Sequence, residues 1–208
     1  SLNGNNVYIK SPTSSGKTIS FLLPILNEIL NSDSKKLCAV IIYPTKALTK
    51  DQFKEIGEYT EVLDVTLARL DGNIGKKEDE TIDQKLRIDI LNKKPQIILT
   101  NIDFIENHMG EHDPFSNKFN ELMMDFKFLV IDEVHKYDGT FGTKLAGTLQ
   151  RINHKYGKFQ TIAASATLEN PEEFANSLGL NPVEIVTGQG NRGMMTISML
   201  YPGPKCSQ

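Results

Sequence analysis

The chain has only two cysteines, Cys38 and Cys206. Two are too few for a disulfide framework, and no Cys/His spacing matches a zinc site. Cys38 falls within an apolar run, where a buried free thiol is the plain reading. The cysteine usage fits a reducing, intracellular and hence cytoplasmic setting. No apolar stretch approaches the about 20 residues needed to cross a bilayer, so no membrane partner is expected. Excess positive charge is also missing. The formal net charge is −3, which excludes a protein held on nucleic acid by bulk charge alone. Any nucleic-acid contacts must then be local and rely on backbone amides. Internal repeats and low-complexity tracts are absent too, and the opening SLNGNN lacks the features of a signal peptide.

What is present is an ordinary globular balance, 39% hydrophobic and 24% charged over 208 residues, enough for one domain with a sizeable core. Short apolar runs recur at 7–10, 37–43, 65–70, 96–100, 126–132, 159–165 and 183–187. Most are continuous rather than alternating, as strands covered on both faces are. Amphipathic segments lie between them, near 18–30, 46–59, 81–92, 101–108, 117–124, 143–156 and 171–178. Strand alternating with helix predicts an α/β fold, a mainly parallel sheet with helices on both faces. The stretches 71–80 and 109–117 read as surface loops inside that pattern. Residues 1–200 are expected to form one domain, and 201–208 read as a linker.

Between the first strand and the first helix stands SPTSSGKT, residues 11–18. It approaches the phosphate-loop pattern G-x-x-x-x-G-K-[ST], with serine at 11 in place of the first glycine. The context is the one such a loop needs, since backbone N–H groups and a helix N-terminus both favour phosphate. Pro12, Thr13, Ser14, Ser15, Gly16, Lys17 and Thr18 are the candidate nucleotide-binding residues. Lys17 would reach the β/γ-phosphates and the Thr18 hydroxyl would hold Mg²⁺. If Ser14 needs positive φ, serine costs on the order of 1 kcal/mol there.

A second half of the site lies 115 residues beyond Lys17. LVIDEVH, residues 129–135, is an apolar strand that ends in two carboxylates. Ligands of open α/β sheets bind at that edge. Asp132 is placed to hold Mg²⁺, mostly through water. Glu133 is placed to orient and deprotonate an attacking water.

SPTSSGKT, PTKALTKDQ, TNID, DEVH and SAT, in this order, resemble the first RecA-like domain of superfamily 2 DExH-box helicases, P-loop NTPases that use ATP and Mg²⁺. The resemblance runs from residue 4 to about 201. DEVHKYDGTFGTKLA and SATLENPEEFANSLG are similar to the Lhr/YprA-like branch, and DEVH-x-YD also to CRISPR-associated helicase-nucleases. The resemblance implies that Thr45, Lys46 and Gln52 touch the backbone of a tracking single strand, DNA more than RNA. It implies two further contact points at Asp71-Gly72 and Thr100-Asn101, although Asn101 and Asp103 also fit as helix caps. It implies that Ser165, Ala166 and Thr167 couple hydrolysis to strand binding, and that His135 links the nucleotide site to the far face.

Ser14 stands where this family usually has glycine. Adenine-contacting residues upstream, and a second RecA-like domain with its arginine fingers, are expected outside these 208 residues. Arg69, Arg87, Arg151 and Arg192 are not obvious replacements for those fingers. The expected activity is ATP-dependent nucleic-acid translocation by the full protein, weak in this piece alone. A nucleotide-responsive DNA-binding module of a defence or CRISPR-associated complex, without motor activity, is the alternative.

Overall fold

A computed structural model describes residues 4–12, 16–32, 35–74, 83–166 and 170–188. Seven strands form one sheet: β1 (Asn6–Lys10), β2 (Ala39–Ile42), β3 (Leu67–Leu70), β4 (Ile97–Thr100), β5 (Phe128–Ile131), β6 (Gln160–Ser165) and β7 (Val183–Thr187). Their order is β3-β4-β2-β5-β6-β1-β7, and every ladder is parallel. Seven α-helices connect them: α1 (Lys17–Leu30), α2 (Lys46–Val62), α3 (Gln84–Asn92), α4 (Ile102–Met109), α5 (Pro114–Leu122), α6 (Gly139–Tyr156) and α7 (Pro171–Ser177).

Strand composition explains where the core lies. Every residue of β2 (AVII) and β4 (IILT) is buried, because both strands sit inside the sheet and are covered above and below. Successive side chains point to opposite faces. Ala39 and Ile41 therefore join one core with Phe21, Ile25 and Ile56, while Val40 and Ile42 join the other with Ile105, Phe119 and Leu149.

Connection handedness then fixes which helix covers which face. A parallel crossover is right-handed, so the direction of travel along the sheet decides the face. The chain moves one way from β1 to β2 to β3, and α1 and α2 pack on one face. It moves the other way from β3 to β7, and α3 to α7 pack on the opposite face. Neighbouring strands whose chains leave towards opposite faces open a crevice at their carboxyl ends. This happens between β1 and β6, and again where β2 lies between β4 and β5.

Two helices start earlier than the sequence pattern predicts. The stretch 109–117 is not all loop, since α5 begins at Pro114 with the Asp113 side chain accepting the N–H groups of Phe115 and Ser116. Proline at a first helical position after a capping aspartate is a start signal. Likewise α6 begins at Gly139, four residues before its amphipathic pattern becomes visible. Among the described residues no helix is long and apolar enough to cross a membrane.

Candidate functional site: a nucleotide half and a strand half

Every described site residue predicted from the sequence sits at or just beyond the carboxyl edge of the sheet, or on the helix that follows. Along the strand order these residues fall into two groups. The first belongs to β1, β6 and β5, the second to β3, β4 and β2.

In the first group the Gly16 backbone has φ +80°, a left-handed conformation that favours glycine, and this turn starts α1. Among the described residues no side chain caps α1, and a helix N-terminus of this kind favours phosphate. Lys17 is buried, with its ammonium 2.7 Å from Glu133 Oε1 and 3.4 Å from Asp132 Oδ1. The two motifs separated by 116 positions are thus one charge cluster. Asp132 also accepts the Glu133 N–H at 2.8 Å. Burial pushes the Asp132 carboxyl above the usual carboxylate range, although Lys17 pulls against it. Glu133 lies at φ 53°, ψ 43°, a left-handed conformation that is strained for a non-glycine residue. That turn delivers its carboxylate to Lys17 immediately after the strand ends.

His135 Nδ1 is 3.1 Å from the Ser165 hydroxyl and 3.3 Å from Glu133 Oε2. It therefore touches both the strand-end carboxylate and the end of β6. The Ser11 N–H donates to the Ser165 carbonyl at 3.0 Å, which ties the start of the phosphate loop to the same strand. Ser165 is fully buried. Pro12 and Ala166 flank the cluster on the chain, while Thr13, Ser14, Ser15 and Thr167 lie outside the described residues.

The cluster carries one positive and two negative side chains. Glu133 Oε2 is buried without an aligned hydrogen bond. An unsatisfied oxygen in a net-negative, oxygen-rich pocket fits a hard divalent cation such as Mg²⁺. Asp132 and Thr18 are the residues that would hold it.

The second group is built differently. The Thr45 hydroxyl accepts the Leu48 N–H at 3.2 Å and caps α2. Thr45 and Lys46 are both exposed, and Lys46 Nζ lies 3.5 Å from Asn73 Oδ1. A Cβ on Gly72 would come within 2.8 Å of that ammonium, so two stretches predicted to share a strand are in fact neighbours. The Asn101 side chain accepts the Phe104 N–H at 2.9 Å and caps α4.

The structure narrows three assignments. Asp71 is almost wholly buried, accepting the Asn73 N–H at 2.8 Å and lying 3.3 Å from Arg69 Nε. Thr100 is fully buried as well. These two side chains hold corners in shape and are not exposed for contact with a ligand. Gln52 faces the nucleotide half instead, since its Oε1 accepts from the Thr18 and Tyr43 hydroxyls, each at 3.4 Å. Gln52 thus joins the two halves.

The sequence also hides two tyrosines. Tyr43 is fully buried, and burial together with Asp132, Glu55 and Glu133 holds its hydroxyl well above the usual phenol range. Tyr137 is buried on the turn after Glu133, and burial with the charges of Asp103 and Asp132 raises it too. Tyr43 ends an apolar run and reads simply as core, while Tyr137 stands between Lys136 and Asp138, where nothing in the pattern signals burial. Among the described residues His108, Glu111 and Asp113 also place potential ligand atoms within 4.8 Å of one another. Their groups are already engaged in the α4–α5 corner, with His108 Nδ1 2.8 Å from the Ser116 hydroxyl.

The family profile described as DEAD/DEAH box helicase matches residues 1–174. The chain belongs to that family. It is 33% identical over 193 residues to the uncharacterized ATP-dependent helicase YprA of Bacillus subtilis, covering 90% of this chain and 24% of YprA. It is 28% identical over 217 residues to the ATP-dependent helicase hrq1 of Schizosaccharomyces pombe, covering 98% of this chain and 19% of hrq1. The chain therefore spans about a quarter or less of the length of these curated relatives. Among solved structures, the DUF1998 helicase MrfA bound to DNA superposes with a TM-score of 0.74 at 32% identity, over 91% of this chain and 26% of that one. The DEAD-box helicase Mss116 bound to single-stranded RNA has a TM-score of 0.73 at 20% identity, over 90% of this chain and 37% of that one, which shows the shared RecA-like fold.

Proposed function

We propose that this chain is the first motor domain of an ATP-dependent helicase that moves along single-stranded DNA. The observation that carries the reading is the Lys17 ammonium held between Asp132 and Glu133. It joins a phosphate loop to a strand-end carboxylate pair, the arrangement that nucleoside triphosphate hydrolysis requires. Membership of the helicase family and the likeness to a DNA-bound MrfA structure support the nucleic-acid and DNA parts of the reading.

In this mechanism residues 12–18 wrap the phosphates and Lys17 moves from its carboxylate partners to the terminal oxygens. Bound Mg²⁺, held by Asp132 and Thr18, would supply positive charge to the phosphates. Glu133 orients the attacking water and takes its proton. His135 carries the position of Glu133 to Ser165, and Gln52 carries the position of Thr18 to α2. Strand phosphates meet the start of α2 at Thr45 and Lys46, the 71–73 turn and the start of α4. A second RecA-like domain of the full chain closes the cleft and contributes arginines. Such arginines contribute about 10³–10⁵ in rate in related systems, so residues 1–208 tested alone should turn over slowly. The setting is the cytoplasm.

The test is ATP turnover by the full-length protein with and without single-stranded oligodeoxythymidylate. Stimulation by the oligonucleotide is expected. A full-length protein whose ATPase ignores nucleic acid would leave the motor reading without support.

A further inference from the structure

We infer that Arg87 is a positioning residue that sets the spacing between two strand-contact points, the 71–74 turn and the start of α4. This role rests on the motor reading above and adds a residue to it.

Arg87 belongs to α3 and is only 3% exposed. An arginine is almost never so deeply buried unless it is paired, so its partners show what it is for. Its Nε–H donates to the Ile74 carbonyl at 2.7 Å. Its guanidinium carbon lies 5.7 Å from the centroid of the Phe104 ring and 5.7 Å from that of Phe115. Both are within the range of a cation–π contact. Burial pulls the guanidinium below its usual range, while the charges of Asp71 and Asp113 oppose that pull.

Each contact reaches one part of the strand track. Ile74 closes the first point, its N–H donating to the Asp71 carbonyl at 3.1 Å. In the same turn Asn73 Oδ1 lies 3.5 Å from Lys46 Nζ, so the exposed start of α2 adjoins it. Phe104 lies in the first turn of α4, and its N–H donates to the Asn101 side chain at 2.9 Å, the bond that caps the helix. One side chain therefore holds the backbone of the first point and lies over the ring beside the cap of the second. A strand that touches both points needs them at a steady separation, because its phosphates are covalently linked. Arginine suits the task. Its planar fork donates within its plane while its face covers a ring, which the compact ammonium of lysine does not copy.

The test compares full-length wild type with Arg87→Lys and Arg87→Met, well below the melting temperature of each. Basal ATP turnover and nucleotide affinity should match wild type, because these Arg87 contacts lie in the strand half. The oligodeoxythymidylate concentration for half-maximal stimulation should rise at least about fivefold in both variants, the lower end of ordinary coupling between sites. The maximal stimulated rate should be retained. An unchanged half-saturating concentration, whatever the melting temperature, would make Arg87 a bond of the core alone and overturn the inference. A matching loss of basal turnover would do the same. Amide hydrogen exchange on wild type adds a check that needs no variant. Oligodeoxythymidylate should slow exchange at 72–74 and at 102–104 together, and protection of one segment alone would overturn the pairing. If wild type shows no stimulation at all, the motor reading fails and takes this role with it.

Discussion

The two halves of the carboxyl edge solve opposite problems. In the nucleotide half, α1 starts without a side-chain cap among the described residues, and the buried Lys17 and Asp132 converge with the half-buried Glu133. In the strand half, α2 and α4 are capped by Thr45 and Asn101, and Asp71 is locked against Arg69 and the Asn73 N–H. In the first half the Glu133 Oε2 atom is buried without an aligned hydrogen bond, beside His135 Nδ1 at 3.3 Å. The second has side-chain caps on both helix starts, and its buried Arg69 Nε, without an aligned hydrogen bond, lies 3.3 Å from Asp71 Oδ2.

The contrast is broken most severely at Lys17. Lys17→Ala leaves the buried Asp132 and the half-buried Glu133 without their cation, which should destabilise the fold by up to about 3–5 kcal/mol and abolish nucleotide binding. Chemical denaturation and nucleotide titration of the full-length protein check both effects. Unchanged stability would mean that the carboxylates do not depend on the ammonium.

Asp132→Asn sharpens the comparison through pH. Burial holds the Asp132 carboxyl above the usual carboxylate range, so the folded state keeps a proton that the unfolded chain has already released. Its contribution to stability is full below the unfolded value and is lost as pH rises through the raised folded value. The asparagine variant should lack that slope and melt no lower than wild type at neutral pH. Melting curves across the acid-to-neutral range check this, and an unaltered slope would show that Asp132 is not the group under strain.

The strand half should respond more gently. Thr45→Ala removes a cap and should cost about 1 kcal/mol. Thr45→Asp keeps a capping oxygen, so stability should hold while single-strand affinity falls through repulsion of phosphate. Undiminished affinity for oligodeoxythymidylate in Thr45→Asp would move the track elsewhere.

Much of this was legible in the chain. The seven apolar runs are the seven strands: the inner strands, buried on both faces, leave an unbroken signal, and the partly buried edge strands β3 and β7 are read from their β-branched and apolar residues. The described candidate residues fall at or just beyond the carboxyl edge, or on the helix that follows, because parallel topology puts every strand's outgoing loop on the same side. What escaped depends on orientation rather than pattern. Gln52 shares a helix with Thr45 and Lys46, and only the packing of α2 turns its amide towards Thr18. The buried Asp71 looks like an exposed loop acid until Arg69 is seen beside it. The start of α5 is obscured by Pro114, although Asp113 caps that helix, and the start of α6 by Gly139 and Gly142, which the helix nevertheless includes.

The central claim is that the Glu133 carboxylate, set at the end of β5 against Lys17, is the proton acceptor for phosphate cleavage. Single-turnover ATP hydrolysis by full-length Glu133→Gln, with nucleotide affinity measured on the same preparation, tests it most directly. The variant should bind ATP as wild type does and hydrolyse it about 10²–10⁴-fold more slowly, the usual contribution of a positioned base. Hydrolysis at the wild-type rate with intact binding would contradict the account.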